Sequence, residues 1–145
     1  MSLRIYTAGY EHDTQASFVA KLKAAGVTRV IDTRYLPSSR KKGLSKGPLS
    51  ARLAEEGIDY IHLKEVGTPK PWRDEYKRDH DFQKLARRYG PYLEERGPAL
   101  KQIFDLARER PSALVCYEAS AEACHRSLVA RRLGSIFGQV EVVDL

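Results

Sequence analysis

The feature that most constrains this chain is a rhythm. Five short β-type runs recur along it: Leu3–Ala8, Val27–Asp32, Ile58–Leu63, Ser112–Tyr117 and Gln139–Asp144. Helix-type segments stand between them. The first has Asp13 or Thr14 as its cap, an apolar face of Phe18, Val19, Leu22 and Ala25, and Gly26 as its stop. Leu49–Glu56, Asp74–Arg88 and Pro91–Arg108 follow, the last with Pro91 at its first helical position. Ala121–Leu133, capped by Ser120, completes the set. Strands that alternate with helices build βαβ units and a largely parallel sheet, with helices on both faces. The expected architecture is a single-domain, three-layer α/β/α sandwich, Rossmann-like, with a mostly parallel sheet of about five strands. A length of 145 residues fits one domain over 1–145. A chain of that size buries roughly 68–70% of its unfolded surface, enough for a core without disulfides.

Composition narrows the function classes. Lys and Arg number 25 against 19 Asp and Glu, a net charge of 25 − 19 = +6. That balance attracts anions, so an anionic small molecule or nucleic acid is the expected partner. No apolar stretch approaches the roughly 20 residues that span a bilayer, so no membrane partner is expected. Met1-Ser2-Leu3-Arg4 runs straight into the first strand with no secretory pattern, so a cytoplasmic location is expected. Two cysteines in such a chain are read as reduced thiols. Nothing in the sequence fixes the oligomeric state.

In an open parallel sheet, ligands bind beyond the carboxyl ends of the strands. Those ends carry Gly9-Tyr10, Asp32-Thr33-Arg34, Lys64-Glu65 and Cys116-Tyr117-Glu118. Cys124-His125-Arg126 follows within one loop of the last group. Both cysteines of the protein lie inside this one block. Strands that run the same way bring all of these residues to one crevice.

Each residue has a sharp and a plain reading. Cys124, in the first turn of a helix and beside His125 and Arg126, sits where positive potential favours thiolate; the plain reading is a buried, inert thiol. Cys116, at a strand end, is placed as a nucleophile, but no Cys-x5-Arg anion loop follows either cysteine, since Glu122 and Ala130 occupy those positions. The two thiols can also close as a redox pair if the loop folds back. A metal held by Cys116, Cys124, His125 and Glu118 lacks the repeated C-x2-C spacing of metal sites, so no metal is assigned. Glu118 and Glu65 are acid–base candidates, against a plain role pairing with Arg34 or Arg126. Asp32 and Arg34 form an ion pair, or Arg34 grips a phosphate in two-pronged fashion.

Gly9 lets backbone amides approach a ligand, and the Tyr10 ring can stack on a base. With no G-x-G-x-x-G and no Walker-type lysine loop, no cofactor is assigned. Arg40-Lys41-Lys42 with Lys46, in a loop from Leu36 to Pro48, is a phosphate contact. A second basic stretch, Lys70-Pro71-Trp72-Arg73 through Lys77-Arg78, offers Trp72 for stacking. Interrupted by Asp74, Glu75, Asp79 and Asp81, it reads as a solvated face. His12 and His80 read as surface residues, and His62 as structural.

Tyr6-Thr7-Ala8-Gly9-Tyr10, Ile31-Asp32-Thr33-Arg34 with Pro37-Ser38-Ser39-Arg40, His62–Gly67, and Cys116-Tyr117-Glu118 with Cys124-His125-Arg126 together resemble the "domain of unknown function 488" family, almost end to end. Thr7-Ala8-Gly9 and Asp32-Thr33-Arg34 depart mildly from the Thr-Ile-Gly and Asp-Val-Arg of that pattern. The resemblance implies a compact cytosolic α/β domain and supplies no reaction.

The resulting expectation is an enzyme for a phosphate-bearing substrate, a nucleotide or nucleic-acid component. Cys116, Glu118, Cys124 and His125 would carry the chemistry. Gly9, Tyr10, Asp32, Arg34, Arg40, Glu65 and Arg126 would bind the substrate. A non-catalytic binding module for nucleic acid or another anion, and a thiol redox sensor built on Cys116 and Cys124, are the alternatives.

Overall fold

The computed structural model describes residues 3–145; Met1 and Ser2, where the leaderless start was read, lie outside the described residues. The strands are β1 (Leu3–Gly9), β2 (Arg29–Asp32), β3 (Asp59–His62), β4 (Ser112–Cys116) and β5 (Val140–Asp144). All pair in parallel, in the order β3-β2-β4-β1-β5. The helices are α1 (Gln15–Ala24), α2 (Lys46–Glu55), α3 (Lys70–Asp79), α4 (Phe82–Glu94), α5 (Gly97–Glu109) and α6 (His125–Phe137). Each strand falls where a β-type run predicts it, to within two residues at either end.

Alternation along the strands divides the core in two. Ala8, Val30, Ala113 and Val115 face α1 and α2, where Phe18, Leu22, Leu49 and Leu53 complete one cluster. Ile5, Ile31 and Leu114 face the other way, against Tyr89 and Leu93 of α4, Leu100 and Ile103 of α5, and Val129 and Leu133 of α6. Helices on both faces make the expected three-layer sandwich. Among the described residues no helix is long and apolar enough to cross a membrane.

Local chemistry sets the boundaries. Thr14 caps α1 through a reciprocal box: its hydroxyl accepts from the Ser17 amide at 3.1 Å, and the Ser17 hydroxyl accepts from the Thr14 amide at 2.9 Å. Gly26, at φ +80°, turns the chain after α1 as predicted.

The region after β3 corrects the expectation of two helices. It holds three, because His80 takes the left-handed conformation at φ 53° and ends α3. The Asp81 carboxylate then accepts from the Lys84 amide and starts α4. Pro91 lies inside α4, not at a first position; Pro98, at the second position of α5, is the proline that stands in a first turn. The loop beginning at Leu36 ends at Ser45, because α2 begins at Lys46. The segment after β4 also differs. Ser120 precedes only a short 3-10 turn, Ala121–Ala123, and the N-cap of α6 is Cys124, just outside the first turn expected for it.

Candidate functional site

β4 lies between β2 and β1, and its chain leaves on the α6 face while the chains from β1 and β2 leave on the opposite face. Divergence of this kind opens a crevice at the carboxyl edge of a parallel sheet. A cavity of about 600 Å³ lies there.

Its floor is the end of β4 and the start of α6. Cys116, Glu118 and His125 line it. Sγ of Cys116 lies 3.5 Å from Oε2 of Glu118. Burial pushes the Glu118 carboxyl up, against smaller opposing contributions from a backbone hydrogen bond and Arg126. Cys124 and Cys116 are joined as a disulfide, not the reduced thiols expected of them, because the loop after β4 folds back and brings the two sulfurs into bonding contact, with the Cα atoms 7.6 Å apart. Sγ of Cys124 lies 3.6 Å from Nδ1 of His125. On the far side of that ring, Nε2 stands 3.0 Å from the Thr33 carbonyl oxygen. A carbonyl can only accept, so Nε2 carries the proton and Nδ1 presents its lone pair. Burial of the imidazole pushes its pKa down to about 4, which keeps it neutral.

Arg126 lies beneath the floor, fully buried. It donates to Cys116 Sγ at 2.9 Å, to the Glu118 carbonyl at 2.6 Å and to the Ala119 carbonyl at 3.2 Å. No carboxylate among the described residues forms an ion pair with it. It does not line the cavity; it holds the loop after β4 and sets positive charge behind the Cys116 sulfur.

Two walls come from opposite directions. One is Tyr10, Arg34 and the loop after β2, with Tyr35, Ser38, Ser39, Arg40 and Lys41. Ser45 clasps this loop: its hydroxyl accepts from the Ser39 amide and donates to the Ser39 carbonyl. The other wall is α3, which turns Arg73, Tyr76 and Lys77 toward the cavity. The Tyr76 hydroxyl donates to the Ala123 carbonyl at 3.1 Å and ties α3 over the floor. Tyr117 completes the ring of aromatics, edge-on to Tyr10 at 5.5 Å. Arg40, Arg73 and Lys77 form no ion pair with the described carboxylates, and Lys41 bonds only the Asp13 carbonyl, so the rim keeps its positive charge.

Most of the expected site residues gather here; besides Arg126 beneath the floor and Tyr10 buried in the wall, four depart from expectation. Glu65 sits in a short 3-10 turn, exposed and away from the cavity, because the chain turns outward after β3. Gly9 serves the fold rather than a ligand: a Cβ there would run into the Glu118 carbonyl, so glycine lets the loop after β4 lie against β1. Asp32 is fully buried and does not reach the cavity. It accepts from Nε and Nη2 of Arg34 and from the Tyr60 hydroxyl. Arg34 does line the cavity, but its charge is committed to Asp32, and its remaining donor reaches the Leu44 carbonyl at 2.7 Å and the Tyr10 hydroxyl at 3.1 Å. The pair clamps the loop rather than gripping a free anion.

Sequence reasoning missed the second wall. The interrupted charges of Lys70–Arg78 predict a solvated face, yet Arg73, Tyr76 and Lys77 share one face of α3 at i, i+3 and i+4 and turn inward together. That spacing was the available signal. Trp72, the expected stacking residue, packs instead against Tyr92 at 5.3 Å, outside the cavity. Tyr35 and Tyr117 follow residues that were singled out, but a tyrosine beside a strand end carries no signal of its own.

No curated protein and no solved structure matches the chain. A family model described as "Domain of unknown function DUF488" matches residues 14–133. That span takes in both walls of the cavity after Tyr10 and the whole Cys116–Arg126 floor. On that match the chain belongs to the DUF488 family.

Proposed function

We propose that this protein is an enzyme acting on a phosphate-bearing substrate with an aromatic ring, of nucleotide size, in the cavity at the carboxyl edge of the sheet. One observation carries this reading: a single cavity joins four tyrosine rings and an unneutralised cationic rim to a floor of Cys116, Glu118 and His125. Its volume of about 600 Å³ suits a ligand of that size. Arg40, Lys41, Arg73 and Lys77 take the phosphate, Arg73 with a planar, two-pronged group. Tyr35, Tyr76 and Tyr117 take the base by stacking, which accepts any base because each has a π-face; Tyr10, 2% exposed and packed against Phe18, backs them from the core. Glu118, set 3.5 Å from Cys116 and opening on the cavity, exchanges a proton with the reacting group.

Calorimetric titration tests the binding half. A nucleoside 5′-monophosphate should bind saturably at one site, more tightly than the matching nucleoside or inorganic phosphate. Arg73→Ala and Lys77→Ala should each weaken it by about tenfold, one charged hydrogen bond's worth. Binding of long nucleic acid alone, with affinity falling linearly in log salt and no saturable nucleotide site, would instead identify a non-catalytic nucleic-acid module.

A further inference from the structure

The floor of the cavity brings two sulfurs and an imidazole nitrogen together, and nothing in the nucleotide reading requires that cluster. Sγ of Cys116, Sγ of Cys124 and Nδ1 of His125 lie within 4.8 Å of one another. They come from two elements. β4 delivers Cys116 at its last residue, and the N-terminus of α6 delivers Cys124 and His125.

Three features point to a shared ion. The imidazole is oriented as a ligand, because its Nε2 proton goes to the Thr33 carbonyl and leaves the Nδ1 lone pair facing the sulfurs. Metal-bound histidines are held in the same way, by a carbonyl or carboxylate on the outer nitrogen. The charge is also set for thiolates. Buried Arg126, with no carboxylate ion pair among the described residues, donates to Cys116 Sγ at 2.9 Å, and Cys124 caps the N-terminus of a 13-residue helix. The spacing then selects between partners. The Cα atoms stand 7.6 Å apart, outside the roughly 4.4–6.8 Å of relaxed disulfides. Two metal–sulfur bonds of about 2.3 Å each span such a gap with the backbone in place. The 3.6 Å from Cys124 Sγ to His125 Nδ1 is close to the separation of two ligands on one tetrahedral ion, about 3.5 Å.

We infer that Cys116, Cys124 and His125 hold a divalent, zinc-class metal ion whose fourth position opens into the cavity. Two thiolates and an imidazole suit a borderline-soft ion, and three protein ligands with one open position are the pattern of catalytic rather than structural zinc. Loading follows reduction: an added thiol reductant supplies two electrons and two protons to open the Cys116–Cys124 bond, the two thiol protons then leave to solvent, and the thiolates stand about 3.8 Å apart around the ion. Glu118, beside Cys116, stands next to the open position. This deepens the proposed function and rests on it for one point only: that the open position meets a phosphate-bearing substrate, whose oxygen the ion would polarise.

The test uses the full chain, reduced under anaerobic conditions. It is offered Zn²⁺ and then Co²⁺, with a chromophoric chelator as competitor and metal content measured after desalting. One equivalent of metal is expected. The cobalt form should give the intense visible bands of a tetrahedral site and a thiolate charge-transfer band. Cys124→Ser and His125→Gln, checked for native circular dichroism, should each weaken binding by at least about 100-fold, the upper range for losing even an outer partner of a metal. Lys77→Ala, which leaves the floor untouched, should bind metal as the wild type does. Failure of the reduced wild type to hold a stoichiometric metal overturns the inference. So does wild-type metal affinity in a folded Cys124→Ser chain. A protein lighter by two hydrogens, which takes no metal after reduction, overturns it in favour of a redox disulfide. Loss of metal with nucleotide binding intact removes this inference alone. A loaded chain that binds no nucleotide removes only the substrate reading.

Discussion

Nη1 of Arg126 donates to Sγ of Cys116 at 2.9 Å, and the same nitrogen holds the Glu118 carbonyl at 2.6 Å. One buried guanidinium thus fixes both the Cys116 sulfur and the loop that carries Glu118. Arg126→Met keeps the length of the side chain and removes every donor. The Glu118 and Ala119 carbonyls then lose their partner, and each costs about 1–3 kcal/mol if it stays buried. Chemical denaturation should show a stability loss of about 2–6 kcal/mol for the two carbonyls together, with Cys116 losing the charge behind it. A change under about 0.5 kcal/mol, the scale of an ordinary surface substitution, would contradict the role given to Arg126.

Asp32 and Arg34 form the second clamp. The carboxylate is fully buried and meets Arg34 at 2.7–3.1 Å through two nitrogens. Asp32→Asn leaves a buried guanidinium without its counter-charge, a change that costs about 3–5 kcal/mol. Asp32→Asn with Arg34→Met should recover part of that loss, because the orphaned charge is gone. Denaturant midpoints of the two single variants and the double variant read the coupling directly. Additive losses would mean that the pair does not act as one unit.

Gly9→Ala tests the seat of the loop after β4. The added methyl meets the Glu118 carbonyl, which is backbone and cannot rotate away. Overpacking of this kind costs about 1–3 kcal/mol. The same variant should weaken nucleotide binding, because Glu118 moves with its loop. Unchanged stability and unchanged affinity together would show that the loop does not lean on β1.

The Asp13–Lys21 pair gives a pH dependence. Burial pushes the Asp13 carboxyl up, but hydrogen bonds from Lys21 and Ser17 and the charges of Lys21 and Lys41 outweigh it and hold the pKa below its ordinary 3.8. A carboxyl depressed in the folded state contributes stability that is present above its unfolded value and is lost as pH falls through its folded value. Asp13→Asn should therefore flatten the loss of stability below about pH 4 and cost under about 1 kcal/mol at pH 7, as partly exposed ion pairs do. Thermal melts across that range supply the check. An acid limb identical to wild type would contradict the assignment.

The layers and strands were legible because each rests on local pattern. Alternation of Val30 and Ile31, or of Leu114 and Val115, decides which sheet face a residue takes, and the turn at Gly26 announces the end of α1. The break between α3 and α4 was not legible. It depends on a left-handed histidine at position 80, a conformation that no composition rule assigns to that residue. The floor of the site was legible because its chemistry is contiguous in sequence, from Cys116 to Arg126. The α3 wall was not. Arg73 and Lys77 carry the same charges as solvated lysines and arginines, and only the fold of α3 over Ala123 turns them inward. Gly9 was noticed for the right physical reason, a close backbone approach, but the group that approaches it belongs to the protein itself.

Turnover in this cavity can be measured directly. Wild-type protein and Glu118→Gln should each be incubated with a panel of nucleotides, with and without Zn²⁺, and followed by ¹H and ³¹P nuclear magnetic resonance. New product signals are predicted for at least one nucleotide with the wild type. Glu118→Gln should be slower by about 10²–10⁴-fold, the usual contribution of a positioned proton-transfer group, while still binding that nucleotide. No product from any nucleotide, or equal rates from both proteins, would contradict the account.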